Sequence, residues 1–190
     1  MTVLLETDRL VLRRFTESDV DNLVRLDGDP EVMRFITGGR PTSRADVERD
    51  HLPAYLDHHE RFEGFGFFAV EDGTGGFLGW VHFRGRPDDP PGQVELGYRL
   101  VRSAWGRGYA TEASKALVDK GFAELGVQRV YAETMVVNTG SRRVMEKCGL
   151  ERVRIFHQDW PDVIEGGEHG DVEYAITRAR WEAQRSAGSG

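Results

Sequence analysis

The chain has 190 residues, of which 39% are hydrophobic and 30% charged, as expected for one globular domain with its own core. The 25 basic and 32 acidic residues give a formal charge of -7, which argues against nucleic-acid binding through a broad basic surface. The single cysteine excludes an internal disulfide and fits a reducing compartment. Because no apolar run is long enough to span a membrane and no signal-peptide pattern occurs, we expect a cytoplasmic protein that does not bind membranes.

Short strand patterns and polar helices alternate in the first half of the chain. Alternating apolar residues predict strands at residues 7–15, 66–71 and 77–83, of which the last two form a hairpin. Apolar residues at helical spacing predict helices at residues 16–24, 29–36 and 43–62. Pro30 suits the first position of the second helix, whereas Pro53 is expected to kink the third.

The second half contains the strongest patterns. Residues 94–101 predict a half-buried strand with Leu96, Tyr98 and Leu100 on one face and Glu95, Gly97 and Arg99 on the other. Further strands are predicted at residues 129–136, 151–157 and 171–177, and glycine-terminated helices at 110–125 and 138–148. We expect one domain over residues 1–184 and a disordered tail at 185–190. The mixed order of elements indicates an α/β or α+β fold with a mixed sheet.

The segment Arg102–Thr111 precedes the predicted helix at 110–125 and contains two glycines, Gly106 and Gly108. Glycines there let an anion approach the unpaired N–H groups at the positive end of the helix dipole, and Arg102 and Arg107 add positive charge. The segment has neither the lysine of a P-loop nor the third glycine of a dinucleotide loop. The pattern predicts an anion site; the alternative is a tight turn without a ligand.

The string Trp-Gly-Arg-Gly-Tyr-Ala-Thr-Glu-Ala at 105–113 resembles the coenzyme A pyrophosphate loop of the GNAT superfamily of acyl-CoA-dependent N-acyltransferases. The family pattern is Gln/Arg-x-x-Gly-x-Gly/Ala, and Trp105 occupies its first position. Tryptophan there is typical of a branch similar to the RimJ and RimL ribosomal-protein N-terminal acetyltransferases. Residues 7–13, 29–34 and 137–141 also resemble this branch, through Thr-Asp-Arg-Leu-Val-Leu-Arg, Asp-Pro-Glu-Val-Met-Arg and Val-Asn-Thr-Gly-Ser.

The resemblance implies a single-domain fold in which helices flank a mixed, mostly antiparallel twisted sheet whose central strands splay apart around acetyl-CoA. No metal is expected, because His157, His169 and the neighbouring acids lack the spacing of metal ligands. Ten residues match positions that bind the coenzyme: Leu100, Val101, Arg102, Gly106, Arg107, Gly108, Tyr109, Ala110, Thr111 and Asn138. Ser141 is the eleventh.

Acyl transfer from a thioester to an amine needs a base, donors to the thioester oxygen and a proton for the thiolate. Glu95 is our candidate base, acting through water; alternatively it faces solvent or pairs with Arg99. Ser141 is the candidate proton donor, or else a serine that caps a helix. Asn138 either holds the pantetheine arm or caps the same helix. Gly97 would suit a bulge that offers a backbone N–H to the thioester oxygen.

The acceptor implied by the resemblance is a primary amine, on a protein N-terminus or a small molecule. Deprotonation at pH 7 costs about 1 kcal/mol for an α-amine and about 4.6 kcal/mol for a lysine, which favours an α-amine. The alternatives are an antibiotic- or metabolite-modifying enzyme with another acyl group and a non-catalytic acyl-CoA sensor. The acidic loop at 160–173 would attract a cationic acceptor if it overhung the cleft; otherwise it is a solvated surface. The resemblance allows a homodimer, although no motif requires one.

Overall fold

The computed structural model describes residues 2–187, apart from the side chains at positions 59 and 60. Within these residues, eight strands form one sheet. The strands are β1 (Val3–Glu6), β2 (Leu10–Arg14), β3 (Gly66–Asp72), β4 (Phe77–Arg84), β5 (Gln93–Leu100), β6 (Arg129–Met135), β7 (Glu151–Phe156) and β8 (Asp171–Thr177). The α-helices are α1 (Val20–Asp27), α2 (Pro30–Thr37), α3 (Arg44–Asp46), α4 (Leu52–Arg61), α5 (Tyr109–Ala123), α6 (Thr139–Lys147) and α7 (Arg178–Ala187).

The strand order is β1-β2-β3-β4-β5-β6-β8-β7. Neighbours in the described sheet are antiparallel except β5 and β6, which run parallel. These two central strands pair only between residues 93–95 and 129–131, so β5 and β6 diverge beyond that point. The expected single-domain α/β fold, with a mixed and mostly antiparallel sheet flanked by helices, is confirmed.

Side chains alternate across the sheet, and helices cover both of its faces. On one face, Phe83 of β4 belongs to a buried cluster with Leu117 of α5. On the other, Trp80 of β4 belongs to a buried cluster with Leu23 of α1 and Tyr55 of α4. Burial of each large apolar side chain contributes about 1.5–3 kcal/mol, so these clusters hold the central strands in place.

The predicted helix at 43–62 is divided in the structure. A π-helical turn, Val47–His51, separates α3 from α4, and Pro53 lies in the first turn of α4. Proline has no N–H to donate to the carbonyl four residues earlier, which explains why the regular helix is interrupted here.

Two elements escaped prediction. β1 has four residues without clear alternation. Helix α7 is anchored by Trp181, whose indole donates a hydrogen bond to Asp119 Oδ1 (2.6 Å) and whose ring packs on Phe122. Because α7 extends to Ala187, residues 185–187 of the expected disordered tail are helical, and residues 188–190 lie outside the described residues. No helix within the described chain has the length and apolar character needed to cross a membrane.

Candidate active site

A cavity of about 1080 Å³ opens where β5 and β6 diverge. Its walls come from the second half of β5, the loop before α5, the end of β6 and the start of α6. Eight of the predicted coenzyme-binding residues line it: Leu100, Gly106, Gly108, Tyr109, Ala110, Thr111, Asn138 and Ser141. Val101, Arg102 and Arg107 lie in the same loop but outside the lining of this cavity.

The loop before α5 has the geometry of an anion cradle. Gly106 and Gly108 have φ angles of 72° and 81°, in the left-handed region that only glycine adopts readily. Apart from Gly106 itself and its two chain neighbours, no heavy atom of the described residues lies within 4 Å of a Cβ placed on Gly106. The indole of Trp105 donates to the Leu100 carbonyl (2.8 Å) and fixes the loop against β5. These residues fit a pyrophosphate held at the N-terminus of α5.

Arg9 braces this loop, a role that the sequence did not indicate. It donates through Nη1 to the Arg107 carbonyl (3.0 Å) and through Nε to Glu112 Oε2 (2.7 Å). Glu112 lies in the first turn of α5, so Arg9 neutralises a carboxylate close to the cradle. The contact joins residues about a hundred positions apart, which no local pattern reveals.

Asn138 and Ser141 lie together at the start of α6. Asn138 Oδ1 accepts the Ser141 backbone N–H (3.2 Å), so the capping role considered for Asn138 is present. The Tyr98 hydroxyl donates to the Ser141 carbonyl (2.8 Å) and lies 2.9 Å from Ser141 Oγ. Burial raises the pKa of Tyr98, so its hydroxyl stays protonated. The alternation in the sequence places Tyr98 on the core face of its strand and gives no sign that its hydroxyl contacts Ser141.

Glu95 is buried, with 7% of its surface exposed, and it does not pair with Arg99. Arg86 donates to both of its carboxylate oxygens, whereas Arg99 pairs with Asp27 (2.6 Å). Burial by itself would raise the pKa of Glu95, but His82 and Arg86 outweigh it and lower the pKa to about 2. A carboxylate with so low a pKa is a weak base at pH 7, which argues against the predicted role of Glu95 as the proton acceptor.

Gly97 lies in a regular part of β5 and not in a bulge. The β4–β5 register runs without a break from Gly79–Leu100 to Arg84–Glu95, so the expected bulge at Gly97 is wrong. Gly97 instead faces His82 on β4, and a Cβ on Gly97 would lie 2.5 Å from the His82 Cε1 atom. The absent side chain makes room for the imidazole.

A second cavity, of about 550 Å³, lies on the Trp80 face of the sheet. Tyr55, Phe67 and Trp80 form its aromatic wall, and Tyr55 stacks on Phe67 with ring centroids 4.0 Å apart. It shares five lining residues with the larger cavity: Ile36, Trp80, His82, Arg84 and Arg99. The two cavities therefore meet at these side chains.

The acidic loop at 160–173 reaches the cleft, because Trp160 and Asp171 line the larger cavity. Its acids are largely paired. Asp162 binds Arg40 (2.6 Å), Glu165 binds Arg34 (3.4 Å), Asp171 accepts from the Trp160 indole (3.0 Å), and Glu173 binds Arg129 and Arg154. This pairing weakens the hypothesis that the loop recruits a cationic acceptor, since little uncompensated charge is left.

The sequence matches the family model of the acetyltransferase (GNAT) domain over residues 9–151. The chain belongs to the GNAT acetyltransferase family. Among its GNAT relatives, the "FsC-acetyl coenzyme A-N(2)-transacetylase" of Aspergillus fumigatus is 34% identical over 183 residues, 93% of this chain and 77% of that protein.

Solved GNAT structures share the fold. A spermidine N-acetyltransferase from Vibrio cholerae in complex with CoA and spermine superposes with a TM-score of 0.74 at 18% identity, covering 92% of this chain and 99% of that one. The ribosomal-protein α-N-acetyltransferase RimL in complex with CoA gives a TM-score of 0.76 at 20% identity, covering 92% and 97%. This chain therefore has the same fold as these two proteins.

Proposed function

We propose that this GNAT acetyltransferase moves an acetyl group from acetyl-CoA to a primary amine, on a small molecule or a protein N-terminus, by direct attack in a ternary complex. One observation carries the proposal: two cavities meet at the point where β5 and β6 diverge. The larger has a glycine cradle for the pyrophosphate, and the smaller has room for an acceptor. Both substrates would therefore be present together, without a covalent enzyme intermediate.

Acetyl-CoA supplies the thioester in this reaction. The pyrophosphate would lie on the Gly106–Gly108 turn, and the pantetheine arm would follow the gap towards Asn138, whose Nδ2 group is not used in the helix cap. Beyond Glu95 the edge of β5 has no β6 partner among the described residues. Its backbone N–H groups are therefore our proposed donors to the thioester oxygen.

Ser141 is our proposed proton donor to the thiolate. As the amine nitrogen bonds to the carbonyl carbon, the C–S bond breaks; the amine loses a proton and the thiolate gains one. Tyr98 can replace the proton that Ser141 gives up when its hydroxyl proton, which is donated to the Ser141 carbonyl in this structure, turns to Ser141 Oγ at 2.9 Å. Cys148 takes no part, since it is buried in the core and burial raises its pKa to about 12.

The relatives support an amine acceptor, since one is named for an N(2) nitrogen and another for spermidine. Placement in the branch similar to RimJ and RimL belongs to the same proposal and is supported by Trp105 and its neighbours. A cytoplasmic location is also part of the proposal, because the single cysteine fits a reducing compartment.

Calorimetric titration with acetyl-CoA, followed by a thiol-release assay, tests the proposal. The acceptor panel contains N-terminal peptides, free amino acids, lysine peptides, polyamines and aminoglycosides. We expect acetyl-CoA to bind and one amine class to give turnover. If the assay is repeated with a longer acyl-CoA and only that donor gives turnover, the result would support the alternative of an antibiotic- or metabolite-modifying enzyme with another acyl group. Binding without turnover on any amine would support a non-catalytic acyl-CoA sensor.

A further inference from the structure

His82 occupies the junction of the two cavities. It lies on β4 directly opposite Gly97 of β5, two residues past the last pair that β5 makes with β6. Its ring approaches β5 so closely that a Cβ on Gly97 would be 2.5 Å from Cε1 and 2.7 Å from Nε2. His82 lines both cavities, so it faces the acceptor side and the coenzyme side at once.

The imidazole is buried but not hydrogen-bonded. Only 8% of the residue is exposed, and neither ring nitrogen makes a hydrogen bond of good geometry to any described side chain or backbone group. The nearest carboxylate oxygen, Glu95 Oε2, lies 3.4 Å from Nε2. Buried polar atoms are rarely left unpaired in folded proteins. Nε2 has the Glu95 carboxylate at 3.4 Å and Nδ1 has no hydrogen-bond partner among the described residues, so this ring, at the meeting point of two cavities, is suited to contact a substrate.

The surrounding charges suit a ring that gains and loses a proton. Four elements bring charged or titratable groups towards it: Arg84 on β4, Arg86 in the following loop, Glu95 and Arg99 on β5, and His58 on α4. Burial, helped by Arg84 and Arg86, lowers the pKa of His82, so the ring is neutral at pH 7. Glu95 remains a carboxylate, because its pKa is about 2, and its charge stabilises the imidazolium once it forms.

We propose that His82 is the catalytic residue that accepts the proton of the acceptor amine, and that Glu95 is a positioning residue that stabilises the protonated ring. This inference rests on the proposed function. An ammonium acceptor gives one proton to His82 and becomes the neutral nucleophile; its nitrogen then bonds to the thioester carbon as the C–S bond breaks. The amide nitrogen loses a second proton as the thiolate gains one, and His82 returns the first to solvent.

The test compares His82→Gln with wild type in kcat, in acetyl-CoA affinity and in the pH profile of kcat/KM. We expect a loss of about 100-fold or more in kcat at pH 7 and unchanged acetyl-CoA affinity. The wild-type profile should fall at acid pH as His82 is protonated. The variant should show no break at the His82 pKa, and its kcat/KM should instead rise about tenfold per pH unit up to the pKa of the amine.

Two further variants make the test specific. Glu95→Gln removes the charge that stabilises the imidazolium, so the acid limb should move to lower pH. His169→Gln, which replaces an exposed histidine that lines neither cavity, should keep the wild-type limb and a rate within about twofold. If the thermal transition shows that His82→Gln does not fold, the position of the acid limb in the Glu95→Gln profile tests the role of His82.

The outcomes separate the two proposals. An inactive wild-type protein would overturn the proposed function. An active wild type would overturn only the role of His82 if His82→Gln kept the rate and the acid limb, or if Glu95→Gln left the limb in place.

Discussion

Glu95 and Tyr131 form the last residue pair between β5 and β6 in the described sheet. Arg86 marks this point, because it binds Glu95 on β5 and Glu133 on β6 (3.0 Å) at the same time. One guanidinium thus joins the two strands just where their backbone pairing stops. The ion pairs that depress the pKa of Glu95 also fix the entrance to the gap, so Glu95 has a structural reason to be a weak base.

Replacing Gly108 with alanine should weaken acetyl-CoA binding by about tenfold or more. The left-handed backbone costs an alanine about 1–2 kcal/mol, and a Cβ would stand at the N-terminus of α5, where the pyrophosphate is proposed to lie. Calorimetry measures the affinity. Gly126→Ala is the matched control: its φ of 71° brings the same strain, but it follows the end of α5, outside the cavity lining. It should lower stability and leave affinity intact. Equal affinities for the two variants would contradict a coenzyme site at Gly108.

Ser141→Ala and Tyr98→Phe should each slow thiol release in a single turnover by about tenfold to 100-fold. If the two hydroxyls act as one proton relay, the double variant should be little slower than either single variant. Tyr131→Phe is the control, since its hydroxyl is directed to Asp89 (3.1 Å), and it should release thiol at the wild-type rate. If the fold-losses in thiol-release rate of the two single variants multiply in the double variant, the two hydroxyls act independently and the proton relay is contradicted.

Asp19→Asn should lower the free energy of unfolding at pH 7 by about 3 kcal/mol. Asp19 and Arg13 form a nearly fully buried ion pair (2.7 Å). Glu71 would still pair with the Arg13 guanidinium (2.7 Å), so the expected loss lies at the low end of the roughly 3–5 kcal/mol that breaking a buried pair costs. Exposed Asp21, which pairs with Arg44, is the control, and Asp21→Asn should cost about 0.5 kcal/mol or less. Urea unfolding measures both; similar losses would contradict the importance of burial.

Asp19 should also make stability depend on acid pH. Burial by itself would raise its pKa, but Arg13, Thr16 and Asn22 outweigh burial and hold the pKa below the ordinary value of 3.8. The stabilisation is therefore complete above pH 3.8 and is lost as pH falls through the lower, folded-state pKa. In acid titrations of urea unfolding, the Asp19→Asn protein should lose less stability than wild type below pH 4. An identical loss in both proteins would assign the acid dependence to other carboxylates.

Asp162→Asn should raise the KM for the acceptor by about threefold to tenfold without changing acetyl-CoA affinity. Asp162 holds Arg40, which lines the smaller cavity, so its loss frees an arginine in the proposed acceptor site. Glu168→Gln is the control, because Glu168 faces solvent and pairs only with neighbouring His169 among the described residues. An unchanged KM in the Asp162 variant would show that the loop does not shape this cavity.

Local patterns in the sequence were sufficient for the central strand and for the helix that begins at the glycine cradle. The left-handed conformation of Gly106 and Gly108 can be predicted from the sequence, because few residues other than glycine adopt it readily. The reactive centre depends instead on contacts between strands and helices distant in sequence. The local pattern around His82 predicts only an apolar strand, and the position of His82 opposite Gly97 depends on the strand register. Likewise, the pattern around Tyr98 predicts a core residue, whereas its hydroxyl contacts Ser141, 43 positions later. The ion pair between Arg86 and Glu95 cannot be predicted from the sequence either, because Arg86 lies in a loop with no local pattern.

The short contact between β5 and β6 divides the sheet into two mechanical units. Strands β1–β5 form one continuous ladder and β6, β8 and β7 form another; three described residue pairs connect them. A molecule that fills the gap touches both ladders and couples them. Amide hydrogen exchange should therefore slow on both sides of the gap when the coenzyme binds. The slowing should extend over the strands of both ladders and not be confined to the residues that line the site.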